Sequence, residues 1–307
     1  MIFVNSLRLL GSNWKKALKL FLYYVVIWGL AFALFLPAFF EFKDTVASMY
    51  ESAGTFATFG GVFSGNLGQY IHNFLHTTVK IAETVFAQNL GIAIYGLIVI
   101  FIFLPFLLNV GKYTMHKMLY AYMTSNTEVG FFSALVKGLN KSLPFALCKV
   151  FYNLVFWGAT LVSIFALGTI EHATFIKHGL PAVIFVLLVL LFTLNEMATL
   201  GWIPALNVFD RNIFVCYAKG VKAVKRHFWK TFLLTGIFFM IFWGLVILFG
   251  IYTLAVLVPL MTIMLCVYNM TIFFTSQGMR FYVNKTNILT PKKLEEVDNI
   301  NKTAYIL

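Results

Sequence analysis

Six long runs of the chain are almost entirely apolar, and shorter polar stretches separate them. Because a helix of about 20 apolar residues crosses the hydrocarbon core of a bilayer, each run predicts a membrane-spanning helix. The predicted spans are 20–40, 90–111, 145–169, 181–206, 231–249 and 251–275. The pattern therefore predicts an all-α fold, a polytopic transmembrane helical bundle of about six spans within residues 1–276.

A basic amphipathic stretch precedes each odd-numbered span and leads to a Trp-Gly pair inside it. The pairs are Trp28-Gly29, Trp157-Gly158 and Trp243-Gly244. Basic side chains toward the headgroups and Leu, Val or Phe toward the acyl chains are typical of an interfacial helix. We expect three helical hairpins, each opened by such an amphipathic helix. The alternative is that positive-inside bias and frequent Phe and Trp produce the likeness.

The longest connection, residues 41–89, changes character at Asn66. Its first half is rich in Gly, Ser and Thr, which favours irregular backbone. From Leu67 to Phe86 the apolar residues recur at helical spacing, so an amphipathic helix is expected on the outer surface.

The C-terminal segment is polar. The composition changes at Gln277, and residues 277–307 are predicted to form a cytoplasmic tail. Thr290-Pro291 favours a helix start within this tail.

Composition excludes a soluble protein. Only 11% of the residues are charged and 61% are hydrophobic, whereas soluble domains average about 25% charged residues. The three cysteines, Cys148, Cys216 and Cys266, lack the paired spacing of a zinc site, and their predicted positions do not favour a structural disulfide. We interpret them as small apolar residues.

The basic residues predict the orientation. Of the 23 Lys and Arg, all but Lys43, Lys80 and Lys177 lie in segments on one side of the predicted bundle. Since Lys and Arg are retained on the cytoplasmic side, both termini are expected in the cytoplasm of a multi-pass cell-membrane protein. The formal net charge of +12 then follows from topology and does not indicate nucleic-acid binding.

The expected partner of the basic face is a bilayer with anionic headgroups, at about 1 kcal/mol per basic residue near the surface. A membrane or cytoplasmic protein is the other partner considered. The residues predicted to contact headgroups are Lys15, Lys16, Lys19, Lys137, Lys141, Lys219, Lys222, Lys225, Arg226 and Lys230.

Glu196 lies inside the fourth predicted span, where a carboxylate is costly and normally faces the bundle interior with a partner. Lys149 enters the third span from the same side and is expected to reach toward it. The predicted intramembrane polar cluster is Glu196, Asn195, Lys149, Asn153, Asn269 and Asn109. Such a cluster indicates an ion, proton or substrate site. Its alternatives are structural hydrogen bonds between helices or a protonated Glu196.

Four histidines lie in the predicted outer segments. His72 and His76 are four residues apart and share a helix face, while His172 and His178 lie in the next outer loop. Two His at this spacing can hold a metal, but no HExxH pattern is present. We expect no metal or other cofactor, and we take the imidazoles to be solvated or interfacial.

The segment from Pro204 to Trp229 resembles six-span bacterial proteins grouped with the membrane domain of glycerophosphodiester phosphodiesterases. Its shared features are Pro204-Ala205, Asp210, a basic helix from Lys219 to Arg226 and Phe228-Trp229. The Ser often found in that basic helix is missing. The resemblance implies a six-span bundle in a bacterial cytoplasmic membrane. It carries over no catalytic residues, because the chemistry of that group belongs to a soluble domain that does not occur here.

Three functions are considered, of which one, an intramembrane lipid-modifying enzyme with Glu196 or the outer histidines as acid or base, has no motif behind it. No Walker loop, nucleophile elbow or dinucleotide fingerprint is present, so the leading expectation is a non-enzymatic membrane protein whose basic helices contact lipid or a partner. The alternative is a transporter or permease subunit that uses the cluster around Glu196.

Overall fold

The computed structural model describes residues 2–52, 67–171, 174, 180–209, 212–249, 254–283 and 286–288. It is 91% helical, so the predicted all-α fold is confirmed. The helices are α1 (Ile2–Ser12), α2 (Trp14–Ser52), α3 (Leu67–Gln88), α4 (Leu90–Ile98), α5 (Leu104–Ser125), α6 (Phe131–Gly168), α7 (Leu180–Leu200), α8 (Trp202–Phe209), α9 (Ile213–Lys225), α10 (Phe228–Phe249) and α11 (Leu254–Gln277). A π-helical turn, Val99–Phe103, joins α4 to α5, and two antiparallel strands, β1 (Phe281–Val283) and β2 (Thr286–Ile288), follow α11.

Several helical segments are long and apolar enough to cross a membrane. In the described residues they are Trp14–Ser48, Leu90–Ser125, Phe131–Gly168, Val189–Phe209 and Val256–Gln277. The predicted span 231–249 falls on α10, whose segment Phe228–Phe242 is apolar but shorter. On α6, Phe151, Val155 and Val162 are 64%, 77% and 70% exposed, which suits a face covered by lipid rather than water. The chain is therefore a membrane protein.

The three predicted basic amphipathic stretches differ in how they join their spans. The first stretch is interrupted at Asn13, whose Nδ2 donates a 2.9 Å hydrogen bond to the Leu9 carbonyl at the end of α1. The second is continuous with its span in α6. The third is α9, which the two residues Arg226 and His227 separate from α10.

The fourth predicted span is also divided. Gly201 forms a turn between α7 and α8, inside the predicted helix 181–206. The turn allows α8 to pack on α9, where Trp202 Nε1 donates a 2.9 Å hydrogen bond to the Ile213 carbonyl.

The chain divides into two compact units. Unit 1 comprises Met1–Val26, Leu108–Phe145 and Phe192–Leu307; unit 2 comprises Ile27–Leu107 and Ala146–Leu191. In unit 1 a core joins α7, α9 and α11. Its members are Met197, Leu200, Val224, Tyr268 and Ile272. In unit 2 a smaller core joins α2 and α4. Its members are Ala38, Phe42 and Ala93.

The described part of the predicted tail begins at the end of α11 and continues into a short β-hairpin. Helix α11 ends at Gln277, and Gly278 follows with a φ of 67°, the left-handed geometry that commonly terminates helices. The β1–β2 hairpin comes next, with Phe281 and Val283 each 2% exposed and β1 packed on α1. Residues 281–283 are therefore part of unit 1. The irregular segment before Leu67 and the helix start at Thr290-Pro291 lie outside the described residues.

Candidate functional site

Glu196 on α7 and Lys112 on α5 form an ion pair inside unit 1. The distance from Lys112 Nζ to Glu196 Oε1 is 2.9 Å, and each side chain is 14% exposed. At this burial, water screens the attraction weakly, so removal of one partner leaves a poorly solvated charge. The pair is the strongest electrostatic feature of the candidate site.

His116 lies one turn after Lys112 on α5 and is fully buried. Its Nδ1 is 2.7 Å from the Lys112 carbonyl oxygen. Because a carbonyl oxygen only accepts, Nδ1 carries the ring proton and Nε2 is a hydrogen-bond acceptor. Nε2 is buried and has no hydrogen-bond partner in the described part of the chain. The ring therefore directs an unused lone pair into the protein interior.

Two asparagines add further unused acceptors to unit 1. The Oδ1 atoms of Asn195 on α7 and Asn269 on α11 are buried, and neither has a hydrogen-bond partner among the described residues. A buried polar atom without a partner costs about 1–3 kcal/mol. Three such acceptors on the helices that carry or adjoin the ion pair favour a ligand that donates hydrogen bonds or carries positive charge.

Helices α2 and α11 complete the surroundings of the pair. The buried Cys266 thiol of α11 lies within electrostatic reach of both Lys112 and Glu196. Tyr24 of α2 donates a hydrogen bond of 3.2 Å to the Leu108 carbonyl of α5. The site is thus built from helices rather than loops, which keeps its side chains in defined positions.

The predicted polar cluster is divided between the two units. Its members in unit 1 are Glu196, Asn195, Asn269 and Asn109, whereas Lys149 and Asn153 belong to unit 2. Lys149 Nζ lies 5.0 Å from the centroid of the Tyr152 ring. Lys149 was predicted to be the cation that approaches Glu196, whereas Lys112 is the cation in contact with it.

Sequence reasoning missed Lys112 and His116 because the second predicted span ended at Gly111. One signal was available. Asn109, Lys112 and His116 follow one another at spacings of three and four residues, which places them on one face of a helix that continues past Gly111.

The residues predicted to contact headgroups differ in exposure. Lys15, Lys19, Lys137, Lys222, Lys225 and Lys230 are exposed. Lys219 Nζ lies 3.8 Å from the centroid of the Phe209 ring, and Lys141 is half-buried. Lys16 is only 7% exposed.

Arg226 has a structural contact that the sequence did not indicate. Its Nη1 donates a 2.6 Å hydrogen bond to the Ser276 carbonyl, one of the last carbonyls of α11. A cation at this position also complements the negative end of the helix dipole. The neighbouring His227 has its pKa lowered by burial and by the charges of Lys230 and Arg226. His227 is therefore neutral at pH 7, and the charge of this surface comes from Lys and Arg.

The two described outer histidines bind backbone carbonyls. His72 Nε2 and His76 Nδ1 each lie 3.1 Å from a carbonyl oxygen, of Ile170 and Gly168 respectively. They join α3 to the C-terminal end of α6, where carbonyls lack intrahelical donors. His172 and His178 lie outside the described residues, and the described part of the chain contains no group of three or more metal-binding side chains.

Comparison with known proteins identifies no relative of this chain. No protein-family model, no curated protein and no solved structure matches this chain.

Proposed function

We propose that the protein is a transporter or permease subunit whose solute site is centred on Glu196 and Lys112. The observation that carries this proposal is the 2.9 Å ion pair between helices of a membrane protein. Ionisable residues inside membrane bundles are rare and commonly mark ion, proton or substrate pathways. His116, Asn195 and Asn269 support the proposal, because their unused acceptors are available to a solute that donates protons or hydrogen bonds.

The solute class follows from the charges. Glu196 offers a carboxylate whose contacting cation, Lys112, is part of the protein. A proton or a small cation that replaces the Lys112 ammonium at Glu196 satisfies the carboxylate, and return of Lys112 releases it. Exchange of this kind keeps a counter-ion at the carboxylate. The displaced Lys112 ammonium then needs other acceptors or the loss of its proton, because a charge without a partner is costly in a low-dielectric interior.

The orientation and the membrane belong to the same proposal. The distribution of Lys and Arg supports cytoplasmic N and C termini in a bacterial cell membrane. The resemblance of the segment from Pro204 to Trp229 to the membrane-domain group supports the bacterial assignment and a bundle of six spans.

Ion flux in proteoliposomes tests this function. Liposomes that contain the full chain and the pH dye pyranine receive an acid pulse under a defined membrane potential, and a parallel set contains a sodium dye. We expect flux above that of empty liposomes, and we expect Glu196→Gln to abolish it. Glu83→Gln is the matched control, since Glu83 is exposed on α3 in unit 2. Equal flux in wild type and Glu196→Gln contradicts the proposal.

Accessibility of position 196 gives a second test. Cys148, Cys216 and Cys266 are replaced, Glu196→Cys is introduced, and impermeant thiol reagents are applied from either side. Labelling from the cytoplasmic side is expected for a solute site. Labelling only after denaturation indicates a packed helix contact and removes the proposal.

A second function is supported by the exposed basic side chains of α9. Lys222 and Lys225 are exposed on a helix that carries no acidic residue. A non-enzymatic protein that contacts anionic lipid or a cytoplasmic partner through this helix is the candidate. Replacement of Lys222, Lys225 and Arg226 by neutral residues should weaken the association of the protein with anionic lipid and the recovery of a bound protein partner. Unchanged topology, lipid association and recovery exclude this function.

A further inference from the structure

A pocket of about 330 Å³ lies in unit 1 where α1 meets α2 and where the loop before α6 passes. Its charged lining residues are Lys15, Lys16, Lys19 and Glu128. Three lysines and one glutamate line it, so the pocket carries an excess of positive charge. Lys15 and Lys19 are exposed at its edge, whereas Lys16 is buried.

Lys16 is held in place by its neighbours. Its Nζ donates a 2.6 Å hydrogen bond to Asn13 Oδ1 and lies 4.5 Å from the centroid of the Tyr122 ring. Asn13 is itself fixed, because its Nδ2 donates to the Leu9 carbonyl and to Ser12 Oγ. An ammonium group has three N–H donors, and Asn13 takes one of them. The buried charge is thus oriented before any ligand arrives, which lowers the entropic cost of binding.

The loop side of the pocket is shaped by the end of α5. Asn126 follows this helix with a φ of 52°, and its N–H bonds the Tyr122 carbonyl. This left-handed residue ends the helix and turns the chain, so that Glu128 and Gly130 line the pocket. Glu128 is exposed, and its charge reaches Lys16.

We infer that this pocket binds a phosphate group. Lysine ammonium groups are common phosphate ligands, and the volume suffices for a phosphate with its glycerol or ester substituent. Trp14 also lines the pocket and is 59% exposed, which is the usual arrangement of Trp at headgroup level. The phosphate can belong to an anionic phospholipid or to a soluble phosphate compound. This site is separate from the Glu196 pair and does not depend on transport.

Thermal stabilisation of the purified full chain in neutral detergent tests the pocket. One arm adds phosphatidylglycerol and the other adds inorganic phosphate at constant ionic strength. The concentration dependence of the unfolding temperature gives an apparent affinity. The test variant is Lys15→Gln/Lys16→Gln/Lys19→Gln, and the control Lys43→Gln/Lys80→Gln/Arg280→Gln removes the same charge from exposed positions that neither line the pocket nor belong to the predicted headgroup contacts.

The expected result is a loss of at least about tenfold in apparent affinity for the pocket variant and about twofold or less for the control. Stabilisation by phosphatidylglycerol alone assigns the site to a lipid headgroup. Stabilisation by inorganic phosphate as well, lost in the pocket variant, assigns it to soluble phosphate compounds. Equal losses in the two triple variants overturn the inference, because total charge then explains the binding.

A steric variant keeps the test informative if the triple variant does not fold. Gly130→Leu leaves all charges in place, and a Cβ at Gly130 meets no atom within 4 Å, so the substitution is accommodated. Because Gly130 lines the pocket, the added side chain is expected to reduce the space in it. Gly29→Leu is the control, since a Cβ there also meets nothing within 4 Å and Gly29 does not line the pocket. Unchanged ligand affinity in Gly130→Leu also overturns the inference.

Discussion

Gly201 and Gly220 are in direct backbone contact: a Cβ on Gly220 would lie 2.5 Å from the Gly201 carbonyl carbon. No L side chain fits at this distance unless the turn before α8 moves away from α9. Because neither glycine has a side chain, the start of the apolar helix α8 can approach the basic helix α9 this closely in unit 1.

Gly220→Ala is therefore expected to destabilise the protein by about 1–3 kcal/mol, the usual cost of overpacking. The loss should appear as a lower thermal unfolding temperature in detergent. Gly158→Ala is the control, because a Cβ at Gly158 meets nothing within 4 Å and alanine favours a helix. If Gly220→Ala is as stable as Gly158→Ala, the close backbone contact between Gly201 and Gly220 is contradicted.

Neutralising one member of the Lys112–Glu196 pair is expected to cost more than neutralising both. Glu196→Gln alone leaves the Lys112 ammonium without this counter-ion and should lower stability by about 3 kcal/mol. Lys112→Met/Glu196→Gln should recover most of that loss, since no charge remains to be solvated. Chemical or thermal unfolding of the wild type, the single variants Lys112→Met and Glu196→Gln, and the double variant in one detergent measures the coupling. Strictly additive losses indicate that the two side chains do not interact.

Arg226→Gln is expected to loosen the last turn of α11. The substitution removes the charged donor to the Ser276 carbonyl, a contact worth about 1 kcal/mol at this partly exposed position. Hydrogen exchange of the amides near Gly278 and Met279 should become faster. Lys222→Gln removes the same charge from an exposed site on α9 and should leave those amides unchanged. Equal amide exchange rates in the two variants argue against a stabilising contact between Arg226 and the end of α11.

His72→Phe is expected to destabilise the junction of α3 and α6 in unit 2 by about 1 kcal/mol, because the Ile170 carbonyl loses a donor. His76→Phe should cost less, since His76 is exposed and water can replace it at the Gly168 carbonyl. Thermal unfolding of the two variants measures the difference. If added zinc stabilises the wild type and this effect is lost in both variants, the histidines bind metal rather than only carbonyls.

The helical and membrane character of this chain was determined by its sequence. Apolar runs of about 20 residues permit few structures other than membrane helices, because backbone polar groups have no water to bond inside a bilayer. The amphipathic helix after Asn66 could likewise be predicted, since the helical spacing of its apolar residues is a local feature of the sequence. The helix ends were less predictable. Charged residues such as Lys112 stop a hydrophobic run without stopping the helix, and α5 continues to Ser125.

The partners of the buried polar groups were decided only by the tertiary structure. Glu196 could be recognised as costly from its position alone, but Lys112 is 84 residues away in the chain, and no local pattern relates the two. Arg226 and Lys16 looked like ordinary surface cations until packing placed one on the Ser276 carbonyl and buried the other beside Asn13. Hydrophobicity is a property of each segment, whereas charge pairing depends on which segments meet.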